Sequence, residues 1–220
     1  MKRAVIAGAS GLVGGYLLRE LLSSPDYGDV VAVGRRPLGV EHAKLTKVVA
    51  DFSDLRAVAD RLRGDDAFCC LGTTIRKAGT PEKFCEVDHR AVLAFAWVAR
   101  QGGARRFLLI SALGADAGAR LFYQRVKGET EAAVQVMGFP TTWIFRPSLL
   151  LGPRTEFRMG ERVSGVIMRA IGPLLPRSWR RYRAVEAERV ARAMRRCAQE
   201  TGDGHGVRIV ESDEIARLGA

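Results

Sequence analysis

Six short runs dominate the first two thirds of this chain: Ala4–Ala7, Val30–Val33, Lys47–Ala50, Ala67–Leu71, Phe107–Ile110 and Thr142–Phe145. Each is four or five residues long and apolar almost without interruption. Such runs suit strands, and strands whose residues do not alternate in polarity are buried on both faces. Helical patterns lie between them. They cover Leu12–Leu22, Ser53–Leu62 with an N-cap signal at Ser53, Pro81–Gln101 with Pro81 suited to a first turn, and Leu121–Met137 ending at Gly138. Strand–helix alternation of this kind predicts an α/β fold, a parallel sheet with helices on both faces. The pattern runs to about residue 148. Beyond it we expect a helix near Glu161–Ile171, a helix near Val185–Gln199, a short strand Val207–Val210 and a tail. The expected organisation is one domain over 1–220, with 149–220 contributing a small substrate-side extension.

Composition narrows the function. With 47% hydrophobic and 27% charged residues among 220, the chain can bury a sizeable core and is not a disordered polymer. The net charge of +11 asks for an acidic partner: a phosphorylated small molecule, nucleic acid or an anionic membrane. Arginines are concentrated between Leu151 and Glu200. The four cysteines, Cys69, Cys70, Cys85 and Cys197, make neither a disulfide framework nor a C-x-x-C pair. His42, His89 and His205 are far apart, so no metal site is expected. The thiols read as small hydrophobes in a reducing compartment. The most apolar candidate for a membrane span, Val163–Pro176, is broken by Arg169, Gly172 and Pro173. A cytoplasmic protein is the expectation.

The first strand-to-helix junction reads Gly8-Ala9-Ser10-Gly11-Leu12-Val13-Gly14. Glycine there permits a tight turn, close approach of backbone to a pyrophosphate, and close helix–sheet packing. The helix N-terminus adds N–H groups and a positive dipole end. A dinucleotide site follows, because the triplet sits in the context that the mechanism requires. The end of the second strand selects the nucleotide. Where an NAD site carries a carboxylate for the ribose hydroxyls, this chain has Gly34-Arg35-Arg36. Guanidinium groups form bidentate, charge-assisted bonds with a 2′-phosphate, so NADP(H) is preferred over NAD(H). After the third strand, Asp51 and Phe52 are placed to meet an adenine edge and face.

Tyr123 and Lys127 are four apart and share one helix face. An ammonium beside a phenol favours the phenolate, which lets the tyrosine exchange a proton nearer neutrality. Ser111 ends the fifth strand, at the carboxyl edge where open α/β sheets bind ligands. Its hydroxyl can hydrogen-bond a substrate carbonyl.

With these residues the chain resembles the short-chain dehydrogenase/reductase superfamily in its atypical or extended branch. The resemblance rests on Gly8–Gly14, Ser111, Tyr123, Lys127 and the stretch Arg146-Pro147-Ser148-Leu149-Leu150-Leu151-Gly152. Cys70-Leu71-Gly72-Thr73-Thr74 and Val87-Asp88-His89 are similar, more narrowly, to the Tat-interacting-protein type of oxidoreductase-like proteins. The resemblance implies a Rossmann doubly wound sheet in the order 3-2-1-4-5-6, with room for a short seventh strand. It implies a Ser111–Tyr123–Lys127 catalytic set. It also implies cofactor contacts from Gly8, Ser10, Gly11, Leu12, Val13 and Gly14 in the turn, and from Leu71, Gly72, Thr73 and Thr74 after the fourth strand. Ser111, Tyr123, Lys127, Arg146, Pro147 and Ser148 complete that set. Two positions depart from the family pattern. Leu71-Gly72-Thr73-Thr74 stands where many members have Asn-Ala-Gly, and Asp88 stands near the place of a helix Asn. A proton relay that depends on that Asn is not available.

The first functional expectation is an NADP(H)-dependent oxidoreductase acting on a small carbonyl or alcohol, with Tyr123 as general acid or base. The alternative is a non-catalytic NADP(H)-binding regulatory or interaction protein. The basic stretch Trp179-Arg180-Arg181-Tyr182-Arg183 interleaves aromatics and arginines, as membrane-surface and nucleic-acid segments do. A solvated or packed basic face outweighs both uses, with peripheral membrane contact ahead of nucleic acid. A homodimer is the expected assembly. No residue identifies the substrate.

Overall fold

The computed structural model describes residues 1–152, 183–200 and 206–220. The expected helix near Glu161–Ile171 and most of the basic stretch lie outside the described residues. The main sheet contains seven parallel strands: β1 (Lys2–Ala7), β2 (Tyr27–Gly34), β3 (Leu45–Val49), β4 (Asp66–Cys69), β5 (Arg106–Ile110), β6 (Thr141–Arg146) and β9 (Gly206–Glu211). Their order is β3-β2-β1-β4-β5-β6-β9, the expected Rossmann order with a seventh strand added beyond β6. A separate two-stranded parallel pair joins β7 (Leu150–Leu151) to β8 (Val185–Glu186).

Burial on both faces explains the uninterrupted apolar runs. Ala4, Ile6, Val30, Ala32 and Phe68 face one core, while Val5, Ala7, Val31, Val33 and Ala67 face the other. Successive strand residues point to opposite faces, so both sets must be apolar. The first core is closed by α1 (Leu12–Ser23) and α6 (Ala187–Gln199). The buried stripe of α6 is Ala187, Val190, Ala191, Ala193, Met194, Cys197 and Ala198. Its small residues bring the helix close to α1, and Arg192 and Arg195 pair with Glu20 of that helix. The second core is closed by α4 (Ala91–Gln101), by Val134 of α5 (Phe122–Gln135) and by the 3-10 segment Phe52–Leu62. α6 and β9 thus build one layer and one strand of the main sheet assembly. The tail is α7 (Ser212–Leu218), a helix not anticipated from sequence.

Two local expectations change. The segment after β3 is capped by Asp51 rather than Ser53: the Asp51 carboxylate accepts from the Ser53 N–H at 2.9 Å and from its hydroxyl at 2.8 Å. Asp54 then leaves helical geometry (φ −129°, ψ 39°), so 3-10 turns replace the expected α-helix. The helix expected over Pro81–Gln101 follows a short helix α2 (Ile75–Ala78) and divides into α3 (Pro81–Cys85), a π turn over Glu86–Arg90, and α4. Thr80, not a residue inside the run, caps it by accepting from the Lys83 N–H.

Candidate active site

The strand order reverses between β1 and β4, so the carboxyl ends of these strands open a crevice in which such sheets bind ligands. Gly8 sits at this point with φ +84°, and a Cβ there would lie 2.5 Å from the Cys70 carbonyl oxygen. Only glycine meets both conditions. Gly14 brings α1 against the turn, since its Cβ would lie 2.1 Å from the Gly8 carbonyl oxygen. Gly11 is different. Its N–H donates to Gly8 at 2.9 Å, and an added Cβ would find that oxygen only at 3.2 Å. The protein does not require glycine there for its own packing; a ligand lying over the backbone does. Gly11 is also the N-cap of α1 and makes no side-chain cap, so the first N–H groups of the helix have no intrahelical partner. Ser10 and Gly11 are exposed, whereas the Val13 side chain belongs to the core.

β2 and β3 run in register to their ends, with Gly34 beside Val49. This places Arg35 and Arg36 next to Asp51, all three exposed. Hydrogen bonds from Ser53, aided by the Arg35 charge, hold the Asp51 carboxyl below its ordinary range. Phe52 is positioned as expected in the chain, but its ring is buried in the second core. The expected ring-face contact with adenine is therefore corrected: Phe52 offers backbone at this edge.

On the other side of the crevice, Ser111 follows β5 and is 6% exposed. Its N–H donates to Phe145 at 2.7 Å, and its hydroxyl has no hydrogen-bond partner among the described residues. Tyr123 and Lys127 occupy successive turns of α5. The Tyr123 ring packs on Phe84 of α3, centroids 5.5 Å apart. Lys127 is buried, and its Nζ lies 2.6 Å from Oδ1 of Asp88, which is fully buried. Oδ2 of Asp88 accepts from the Thr73 N–H at 2.7 Å. A Cβ on Gly72 would lie 3.4 Å from Asp88 Oδ1 and 3.7 Å from Lys127 Nζ. The segment Leu71–Thr74 thus passes directly over the pair, with glycine at the point of closest approach. Burial works to lower the Lys127 pKa, but the Asp88 carboxylate, with help from Tyr123, outweighs it and leaves the ammonium favoured above its ordinary value.

The π turn places Asp88. Its wider winding frees the Asp88 carbonyl, which lies 3.0 Å from the Thr130 hydroxyl on α5. That hydroxyl is also 2.7 Å from the Val126 carbonyl and 2.9 Å from His89 Nδ1. Its single hydrogen serves a carbonyl, so His89 Nδ1 is the donor to Thr130. The sequence marked Asp88 only as a departure from a family pattern; no spacing signalled the π turn or the pairing with Lys127.

The stretch after β6 is more inward than expected. Arg146 holds the buried Glu131 with two guanidinium nitrogens, at 2.5 and 3.0 Å, and reaches Glu211 at 3.4 Å. Its side chain is committed within the protein, which corrects the expectation of a guanidinium contact to cofactor. Pro147 is buried. The Ser148 hydroxyl donates to the Arg183 carbonyl and accepts from Ser212 at 3.0 Å, tying the β7–β8 pair to α7.

Comparison with known proteins agrees with this geometry. The NAD(P)H-binding family matches over residues 8–170. Protein HTATIP2 of Rattus norvegicus is 39% identical over 222 residues, covering 99% of this chain and 89% of the relative. The mitochondrial protein FMP52 of Eremothecium gossypii is 33% identical, covering 98% of this chain and 96% of its own. Among solved structures, MoeE5 in complex with UDP-glucuronic acid and NAD superposes with a TM-score of 0.70 at 19% identity, over 94% of this chain and 75% of that one. The Bordetella bronchiseptica enzyme WbmH in complex with NAD+ gives 0.69 at 16%, over 96% and 76%. At these identities the structural likeness speaks for the fold. The expectation of a cytoplasmic protein is overturned: relatives from Eremothecium gossypii, Emericella nidulans and Coccidioides immitis are named as mitochondrial, so the lack of a readable targeting signal was no guide to compartment. By fold, sequence and motif, this chain belongs to the NAD(P)H-binding family and to its HTATIP2-like group of atypical short-chain dehydrogenases/reductases.

Proposed function

We propose that the protein is an NADP(H)-dependent oxidoreductase that interconverts a small carbonyl compound and its alcohol. The observation that carries this reading is the Ser111 hydroxyl: buried, without a protein partner among the described residues, and on the sheet edge shared by the glycine turn and Leu71–Thr74. Leaving such a group unsatisfied costs about 1–3 kcal/mol, so its position suits a ligand atom. The residues also fit a dinucleotide, because Gly11 and the N-terminus of α1 leave a backbone cradle that a side chain would fill. Arg35 and Arg36 suit a 2′-phosphate, as no carboxylate occupies their place at the end of β2.

When bound, the nicotinamide supplies or takes up the hydride. The protein's own groups do the rest. Ser111 donates a hydrogen bond to the carbonyl oxygen. Tyr123 gives its phenolic proton to that oxygen during reduction and takes it back during oxidation. Lys127 carries three N–H donors, more than Asp88 accepts, and the remainder suit a ribose hydroxyl.

The test is consumption of NADPH across a panel of aldehydes, ketones and quinones, followed by Tyr123→Phe. That variant keeps fold and cofactor affinity and loses about 10²–10⁴-fold in turnover, the usual contribution of a general acid. Equal turnover by Tyr123→Phe refutes the assignment. One observation favours a second reading, a non-catalytic NADP(H)-binding regulator: the Lys127 charge already has a carboxylate partner, which weakens its pull on the tyrosine. Tight NADPH binding with no oxidation by any member of the panel supports that reading instead.

A further inference from the structure

We propose that Asp88 is a positioning residue that controls the proton of Tyr123 through Lys127: by pairing with the ammonium, it cancels the field that would otherwise draw the phenol toward phenolate. The geometry carries this. Lys127 Nζ is 2.6 Å from Asp88 Oδ1, both groups are buried, and Lys127 is one helical turn from Tyr123. A lone buried ammonium acts on a neighbouring phenol as a full charge. An ammonium with a carboxylate in contact acts as a dipole, whose effect falls off much faster with distance.

Asp88 cannot turn away from this task without breaking other contacts. Its second oxygen holds the Thr73 N–H at 2.7 Å, and its carbonyl meets Thr130 at 3.0 Å through the π turn. The other groups facing the pair add no charge of their own. Cys69 on β4 is a neutral thiol, pushed up to about 12 by burial. Cys85 on α3 is likewise raised, by burial first. His89 turns its ring to Thr130 on α5.

The consequence deepens the oxidoreductase reading and takes its meaning from it. In reduction, the carbonyl carbon accepts a hydride from the reduced nicotinamide and the oxygen accepts the Tyr123 proton, leaving an alcohol, an oxidised nicotinamide and a phenolate that regains a proton from solvent. This direction needs the protonated phenol. With Asp88 in place, the phenol keeps its proton through neutral and mildly alkaline pH.

The experiment needs no substrate. Tyrosinate absorbance of the full chain is followed from neutral to alkaline pH, and the Tyr123→Phe titration is subtracted to isolate Tyr123. In the wild type we expect Tyr123 to titrate in the ordinary range of a phenol. In Asp88→Asn it should ionise about tenfold more readily, a shift of about one pH unit. The Asp88→Asn/Lys127→Met double variant should lose that shift, and Asp88→Glu should keep the wild-type midpoint. Loosening of the site alone returns a phenol toward its ordinary value and cannot produce the downward shift. An unchanged or raised midpoint in Asp88→Asn overturns the proposal. If that variant does not fold, the wild type decides alone: a Tyr123 midpoint well below the ordinary phenol range overturns it. Failure to find any substrate leaves these titrations as they are, so it bears only on the oxidoreductase reading.

Discussion

Two aspartates of this protein are fully buried, and they sit at opposite edges of one sheet. Asp66 opens β4 at the amino edge. Tyr27 donates its hydroxyl to it at 2.7 Å, Arg106 holds its other oxygen at 2.7 Å, and Lys2 approaches to 3.5 Å. Burial, then the Asp66 charge, pushes the Tyr27 phenol well above its ordinary pKa, so that proton stays in the hydrogen bond. Asp88 lies at the carboxyl edge, with one ammonium and one backbone N–H. The chemistry of the two carboxylates is the same. Their edges differ, and so do their uses: the Asp66 cluster fastens three strands where no crevice exists, while the Asp88 cluster stands under Gly72 in the crevice. A buried ion pair does not announce a function. Its place relative to the strand ends does.

Asp66→Ala breaks this comparison at its most expensive point. It strands Arg106 and the Tyr27 hydroxyl together, and should cost about 3–5 kcal/mol in chemical denaturation. Cofactor affinity of the folded fraction should not change. A large loss of affinity without loss of stability sinks the structural assignment.

Lys127→Met comes next, with a cost near the lower end of that range, about 3 kcal/mol, because Asp88 keeps its bond from Thr73. Here cofactor affinity should fall as well. The pH dependence has a definite sign. The folded-state pKa of Lys127 is raised, so the contribution of the pair is complete below the ordinary lysine pKa and is lost only as pH rises through the raised value. The stability difference between wild type and Lys127→Met should therefore hold through neutral pH and shrink in strong alkali. A difference that vanishes on acidification through neutrality contradicts the pairing.

The smallest effect on stability is expected at Arg35→Asp. Arg35 and Asp51 are both exposed, so denaturation should move by no more than about 0.5 kcal/mol. Titrations with NADPH and NADH should instead reverse in preference, by about 1.5–3 kcal/mol for lost bonds to a charged phosphate. Equal affinities of the wild type for the two cofactors remove the role given to Arg35 and Arg36.

The division between what was readable and what was not follows the range of the interactions. The glycine turn was legible because its requirements are local: a positive φ at Gly8, a close helix start at Gly14 and a ligand-facing backbone at Gly11 are conditions on neighbouring residues. The sheet was legible because burial on both faces leaves a mark along each strand. Tyr123 and Lys127 were legible as a pair one helical turn apart. The partner of Lys127 was not, because Asp88 lies 39 positions earlier and reaches it only through a π turn whose stabilising contact, Thr130, is on the facing helix. The same holds for Arg146 and Phe52, whose chain positions suggested ligand contact. Glu131 and the second core claim their side chains, and neither claim exists before the helices dock. By itself, then, the sequence determined the strands, the glycine cradle and the residue types along the crevice, since backbone geometry and burial periodicity act over a few residues. Tertiary packing alone decided which charges meet, because a buried charge is set by whatever distant side chain comes to lie within a few ångströms of it.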